Sequence, residues 1–350
     1  MSANAVGEIG AGTGREAAIA AFLARAGWAG AARIPLAQDA SLRRYWRIGP
    51  PDRRAVLMDA PPPEDVRPFL RAARHLAAAG LSVPAILAAD ADAGLVLEED
   101  FGDAMLGSAL DHGDPRAGDM LVAAAEALAR LQAAPLPDWA APGGTVAAWD
   151  GAAMLAATLD PLFGWWWPAV FGGPAPDAAR HDIAAALAET LAPLTALPAV
   201  AVHRDYFAGN LVWLADRHGA ARIGVLDFQA LTTGSPAYDL VSLLQDSRRA
   251  IPADAAAAAR AAFLAARPEV ERQAFAAAEA AIAAQRHLRV SCQWVRLARR
   301  DGKPQYLAFG PHSWARLAEA LTHPVAAPLR RALDRWVPTA RRANPPAMGA

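Results

Sequence analysis

The stretch from Ala201 to Asp239, AVHRDYFAGNLVWLADRHGAARIGVLDFQALTTGSPAYD, constrains this chain more than any other. It carries His203-Arg204-Asp205, then Asn210, then Asp227-Phe228. Between Asn210 and Asp227 lie two apolar runs, Leu211–Leu214 and Ile223–Leu226, separated by the turn-compatible Asp216, Arg217, His218 and Gly219. Two such runs around a polar turn predict a β-hairpin. A hairpin brings its ends together, so Asn210 and Asp227 become neighbours in space. Whatever fold forms must set the mouth of this hairpin beside the His-Arg-Asp turn. One carboxylate, one amide and a second carboxylate then converge.

A lone His-Arg-Asp triplet would read as an ordinary surface loop. Here the spacing is H-R-D-x-x-x-x-N followed by D-F-x, the catalytic pattern of kinases. The chemistry explains it. Asp205 is placed to accept the proton of an attacking hydroxyl, and Asn210 and Asp227 to hold magnesium ions that neutralise the phosphates of ATP. Asp227-Phe228-Gln229 lacks the glycine of D-F-G. The metal-binding aspartate survives, and the lost glycine argues against the flipping activation segment of regulated protein kinases.

The remaining composition narrows the setting. The 350 residues suffice for two lobes and a large core. Hydrophobic residues reach 54%, but alanine supplies much of that and no strongly apolar stretch spans a bilayer. The start of the chain lacks the basic and apolar segments of a signal peptide, and Cys292 is the only cysteine, which excludes an internal disulfide and a cysteine metal cluster. A cytoplasmic protein is expected, with no membrane partner. A formal net charge of −1 gives no footprint for nucleic acid. Lys303 is the single lysine among 34 basic residues, and Pro304 follows it, so a Walker-type G-K-[ST] loop is excluded. Any other basic contact to phosphate must come from arginine.

Along the chain, Gly14–Trp28 predicts an amphipathic helix and Leu36–Ala60 a strand, turn and strand roofing a nucleotide. Asp39-Ala40-Ser41 offers small side chains and backbone N–H groups to phosphate, with Ser41 a nucleotide-binding candidate. Arg43 and Arg44 follow. Alternation does not decide whether Arg43, Tyr45 and Arg47 or Arg44, Trp46 and Ile48 point inward. Glu64–Gly80 predicts a helix. The strand Gly94–Glu98 leads to a hinge where main-chain groups near Glu98 meet an adenine ring. Asp119–Ala134, Asp177–Leu197, Ala253–Ala284, Gln285–Arg300 and Trp314–Leu333 are expected to be helical, and Arg341–Ala350 reads as a loose tail. Phe163, Trp165, Trp166 and Trp167 form either lobe core or a platform on which a sugar ring stacks. Arg296 is a candidate for the substrate cleft. The expected architecture is α+β and bilobal, protein-kinase-like: a small antiparallel sheet lobe over 1–98 and a larger, mostly helical lobe over 99–340.

With these residues in hand, the catalytic stretch resembles the aminoglycoside phosphotransferase/choline kinase superfamily. It is most similar to the bacterial anomeric kinases of N-acetylmuramate and N-acetylglucosamine. DASLRRYWR (39–47), VLMDAPPPEDVRPFL (56–70), HRDYFAGNL (203–211), GVLDFQ (224–229), YDLVSLLQDS (238–247) and RDGKPQYL (300–307) carry that closer similarity. The resemblance implies transfer of phosphate from ATP, with Mg2+, to the anomeric hydroxyl of a small amino sugar, in peptidoglycan recycling, by a monomer or weak dimer. It implies that Asp239, with His203, supports the catalytic loop. The strand lysine of kinases should fall near Met58 and is absent, so Arg43 or Arg44 is expected to supply its charge. Another small-molecule O-phosphotransferase and a catalytically inactive binding protein are the competing readings. Arg286, Arg289, Arg296, Arg299 and Arg300 favour a neutral or anionic acceptor over a cationic aminoglycoside.

Overall fold

A computed structural model describes residues 4–36, 42–140 and 144–345. The loop Asp39–Ser41, expected to meet phosphate, lies outside the described residues, and Ser41 with it. The N-terminal part begins with α1 (Asn4–Arg25), ten residues earlier than the sequence pattern suggests. Then come β1 (Arg33–Pro35), β2 (Arg44–Ile48), β3 (Ala55–Asp59), α2 (Arg67–Ala78), β4 (Ile86–Asp90) and β5 (Leu95–Glu99). The strands form one antiparallel sheet in the order β1-β2-β3-β5-β4.

Strand periodicity gives this sheet two faces with different tasks. Ile48, Ala55, Leu57, Leu95 and Leu97 pack on Ile19, Phe22 and Leu23 of α1. Met58 and Val96 face the other way and join Phe69, Ala73 and Leu76 of α2 in a core continuous with the helical part. The stripe Phe69, Ala72, Ala73 and Leu76 has helical spacing and is buried, which is why α2 docks under the sheet.

After Glu99 the chain crosses once and becomes helical. It forms α3 (Leu106–Asp111), α4 (Ala117–Ala133), α5 (Gly151–Pro161), α6 (Trp167–Phe171) and α7 (Asp177–Leu191). Short strands β6 (Val200–Val202), β7 (Leu211–Trp213), β8 (Ile223–Val225) and β9 (Thr232–Gly234) follow, then α8 (Ala237–Leu244), α9 (Ala253–Ala266), α10 (Arg272–Arg300), α11 (Gly310–Ala320) and α12 (Ala327–Trp336). Pro268 splits the long alanine-rich run into α9 and α10. With 29 residues, α10 spans about 44 Å at the helical rise. It buries residues from Phe275 to Leu297 and forms the axis of this lobe.

Two expectations are corrected. The FGWWW segment is a π-helical turn over Leu162–Trp166, where Trp167 N–H bonds to Leu162 C=O, five residues back. Its Trp166 is fully buried, donates to the Ala343 carbonyl at 2.9 Å and packs on Trp314 at 5.1 Å. No ring face is left for a sugar, so Trp166 is lobe core. The tail is also not loose where it is described: Asn344 accepts from the Trp314 indole at 2.9 Å. Tryptophan N–H groups buried at this depth require acceptors, and residues 343 and 344 provide them.

Candidate active site

The predicted hairpin is β7–β8, with Leu211 opposite Val225 and Trp213 opposite Ile223. Its mouth holds the three residues singled out by spacing. Asn210 Nδ2 donates to the Asp205 carbonyl at 2.9 Å and lies 3.5 Å from Asp227 Oδ2. The amide oxygen of Asn210 is thereby turned away from its own loop. The backbone closes the same ring, since Leu226 N–H bonds to Asn210 C=O at 3.0 Å. The Asp205 side chain is exposed.

Two other polar side chains hold this loop from below. The fully buried His203 ring places Nε2 3.0 Å from the Leu226 carbonyl and Nδ1 3.3 Å from Asp205 N–H. Nε2 therefore carries the proton and Nδ1 accepts, an assignment made from these partners. Burial lowers the pKa of this histidine, in keeping with a neutral ring. The fully buried Asp239, in the first turn of α8, accepts from His203 N–H at 2.6 Å and Arg204 N–H at 3.0 Å. Burial pushes its carboxyl up to about 7, and the two N–H donors pull it back. Arg204 and Asp227 are the non-glycine residues with positive φ among those described, at 76° and 59°. Such a backbone costs about 1–2 kcal/mol for an L-residue. The Asp239 bonds offset it at Arg204. At Asp227 the Gln229 amide donates to Oδ1 at 2.7 Å. Phe228, fully buried, stacks on Phe69 of α2 at 4.6 Å and so anchors the aspartate's segment to the sheet lobe.

Between the lobes lies a cleft of about 420 Å³. Its roof is Tyr45, Arg47, Val56 and Glu98, its floor Asn210, Asp227 and Gly209, and its back wall the hinge from Glu99 to Asp103. The alternation left open by sequence is thereby decided. Tyr45 and Arg47 face the cleft, and Arg47 braces the hinge by bonding Asp100 at 2.6 Å and Asp103 at 2.9 Å. Arg44 is on the opposite face, paired at 2.6 Å with the buried Asp59, which also binds Arg15 of α1. It is turned away from the nucleotide side, contrary to its candidacy. Arg43 is buried and pairs with Glu64, just ahead of α2, at 3.2 Å. This ion pair joins the residue just before β2 to the segment just ahead of α2, and Arg43 itself does not line the cleft. Glu64 was not singled out by sequence; its place directly after the three prolines was the available signal.

Glu98 itself points into the roof. Its Oε2 is buried without a hydrogen-bond partner among the described residues, and burial pushes the carboxyl up to about 8, opposed by Arg43. The side chain, as well as the main chain, therefore borders the nucleotide side. Trp165 is half-buried on the π-helical turn, and Arg296 pairs with Asp160 of α5 at 3.4 Å. Neither borders the cleft beneath the sheet.

The donor set suits magnesium. One amide oxygen and one carboxylate are hard ligands and too few to cage an ion alone, and among the described residues no cluster of three His, Cys, Asp or Glu exists to do so. Mg2+ is commonly held in this way, by one or two protein oxygens, waters and substrate phosphates.

Comparison with known proteins agrees with this geometry. A family model described as phosphotransferase enzyme family matches residues 33–275. The N-acetylmuramate/N-acetylglucosamine kinase of Caulobacter vibrioides is 36% identical, covering 94% of this chain and 98% of that protein. The protein of the same name from Pseudomonas aeruginosa is 34% identical over 82% of this chain and 83% of its own. Among solved structures, a choline/ethanolamine kinase family protein from Mesorhizobium loti shares the fold, with a TM-score of 0.63 at 18% identity over 91% of this chain and 99% of that one. Fold, catalytic spacing and full-length similarity coincide, and the chain belongs to the phosphotransferase enzyme family.

Proposed function

We propose that this enzyme transfers the terminal phosphoryl group of ATP to the anomeric hydroxyl of N-acetylmuramate or N-acetylglucosamine, giving the sugar 1-phosphate. Support comes first from the names of relatives similar over nearly the whole chain. The observation that carries the mechanism is the junction of Asp205, Asn210 and Asp227 at one hairpin mouth. The Asp205 carboxylate takes the proton of the anomeric hydroxyl as its oxygen bonds to the terminal phosphorus, and the bond from that phosphorus to the bridging oxygen of ADP breaks. The anomeric hydroxyl is more acidic than other sugar hydroxyls, which suits a carboxylate base. Asn210 and Asp227 would hold Mg2+, whose chemistry is to neutralise charge on the phosphates. Arg43, fixed by Glu64, adds positive charge behind the roof, where it acts on the Glu98 carboxyl. Fixing donor and acceptor in reactive alignment can supply about 7–11 kcal/mol of the barrier. The enzyme acts in the cytoplasm, as a monomer or weak dimer, and its product suits a nucleotidyltransferase of cell-wall sugar recycling.

Phosphorus NMR of the product tests the reading. A glycosyl 1-phosphate, coupled to the anomeric proton, is expected with wild type and none with Asp205→Asn. Formation of a 6-phosphate, or ADP release that no amino sugar stimulates, would overturn it.

A further inference from the structure

Just beyond α8, Arg248 is half-buried beside the catalytic loop and belongs to none of the groups assigned above. Its guanidinium carbon lies 4.6 Å from the ring centre of Phe207, 5.7 Å from Trp294 and 5.9 Å from Tyr306. The three rings come from separate elements: the catalytic loop, α10 and the 3-10 turn at Pro304–Phe309. They are themselves held in place. Trp294 and Tyr306 stack at 5.5 Å, and the Trp294 indole donates to Ser313 Oγ at 3.1 Å.

The next residue makes the contrast. Arg249 is saturated by two carboxylates, Asp111 at 3.0 Å and Asp246 at 2.7 Å. Among the described residues, the Arg248 guanidinium has neither a carboxylate nor a hydrogen-bond acceptor. Its nitrogens are not sealed from solvent, so its edge is accessible. Stacking holds the plane of a guanidinium while leaving its N–H fork free, the arrangement that receives a carboxylate through two parallel bonds.

Arg248 lies against the loop that carries Asp205, through its contact with Phe207. In the loop, Asp205 is exposed, Tyr206 is fully buried with its hydroxyl on the Ala124 carbonyl, and Phe207 is half-buried. Asp205 and Phe207 are two residues apart on this loop and neither is fully buried, and Arg248 sits on Phe207. More positive charge lies close by. Arg204 and Arg289 flank Trp149 at 4.3 and 5.8 Å, and Arg286 donates to Ser242 and Ser247, with no carboxylate paired to any of the three among the described residues. An acceptor carrying an anion fits this side better than a cationic one.

Resting on the function proposed above, we infer that Arg248 grips a carboxylate of the acceptor and thereby sets the preference between the two sugars. The lactyl group of N-acetylmuramate carries such a carboxylate, and N-acetylglucosamine has none. The test is the ratio of kcat/KM for N-acetylmuramate over N-acetylglucosamine in wild type, Arg248→Gln and Arg248→Lys. The amide of the N-acetylmuramate lactyl group serves as a second neutral comparator. Loss of one charge-assisted fork predicts a fall in the ratio of about 10- to 100-fold in Arg248→Gln. Lysine should recover part of it, keeping the charge without the fork. Turnover of the neutral sugar in the same preparation reports a folded enzyme. A ratio that stays the same, whether both sugars fall together or neither falls, overturns the assignment and leaves the proposed function standing. Wild type that phosphorylates neither sugar removes both.

Discussion

The loop that carries Asp205 is held by a buried carboxylate, and Asp239→Asn measures what that tether contributes. In wild type each carboxylate oxygen takes one backbone N–H, from His203 at 2.6 Å and from Arg204 at 3.0 Å. Above its pKa of about 7, where the Asp239 carboxyl is ionised, bonds to this charged acceptor contribute about 1.5–3 kcal/mol each. The amide keeps one oxygen and turns an NH2 toward the other N–H, so one bond is lost and the remaining one becomes neutral. That removes about 2–4 kcal/mol. Releasing the strained φ of 76° at Arg204 returns about 1–2 kcal/mol if the loop relaxes. We therefore expect a net destabilisation of up to about 3 kcal/mol, at most a few degrees in Tm. The loop would reach this state by moving, and a displacement near 1 Å at the reacting group costs about 100-fold in rate. Nucleotide affinity should change far less, because Arg43 and the cleft roof are anchored elsewhere. Differential scanning fluorimetry, steady-state kcat and nucleotide titration supply the three readouts. A variant with unaltered Tm and kcat within threefold of wild type would refute the reasoning.

Two further predictions concern the roof. Arg43→Ala should weaken use of ATP by about 10- to 100-fold in kcat/KM, the value of a lost charge-assisted hydrogen bond, while Arg44→Ala should lower stability and leave ATP use within about twofold. Equal effects in the steady-state ATP kinetics of the two variants would contradict the two-faced sheet. Glu98 gives a pH signature. Burial raises its folded pKa from the ordinary 4.5 to about 8, so the folded chain holds a proton that the unfolded chain has lost between those values. Stability should decline as pH rises across that window. In thermal melts from pH 5 to 9, wild type should lose ground steadily to Glu98→Gln; parallel curves would show that the carboxyl is ionised throughout.

How much of this was legible in sequence depended on whether local chemistry or tertiary packing decided it. The hairpin and its three polar residues were readable because spacing and turn composition are local. The arginine replacing the strand lysine was narrowed to Arg43 or Arg44 and no further, since period two alone does not say which face is inward. Only the packing of α1 on Leu57 and Leu97 assigns Arg44 to the outside. Glu64 and Phe69 are readable as the start and the buried stripe of a helix, but their partners, Arg43 and Phe228, lie distant in sequence and are not. Trp166 was ambiguous for a physical reason: a large aromatic serves a core and a binding platform equally well, and burial by Trp314 and the chain end separates the two. Arg248 gave no periodic signal. Its distinction is a missing partner, visible only when the carboxylates around Arg249 are in place.

The sealed slot that holds Phe228 against Phe69 bears on inhibitor chemistry. Compounds that work by prising this phenyl ring from its seat and occupying the vacated channel would have to break a stack shared with α2 and unpin an aspartate clipped by Gln229. Medicinal chemistry against such a protein is better directed at the interlobe cavity, where the Glu98 carboxyl, its Oε2 without a partner among the described residues, offers a hydrogen-bonding handle. Probes that mark kinases by acylating an amine beneath the sheet would leave this one unlabelled.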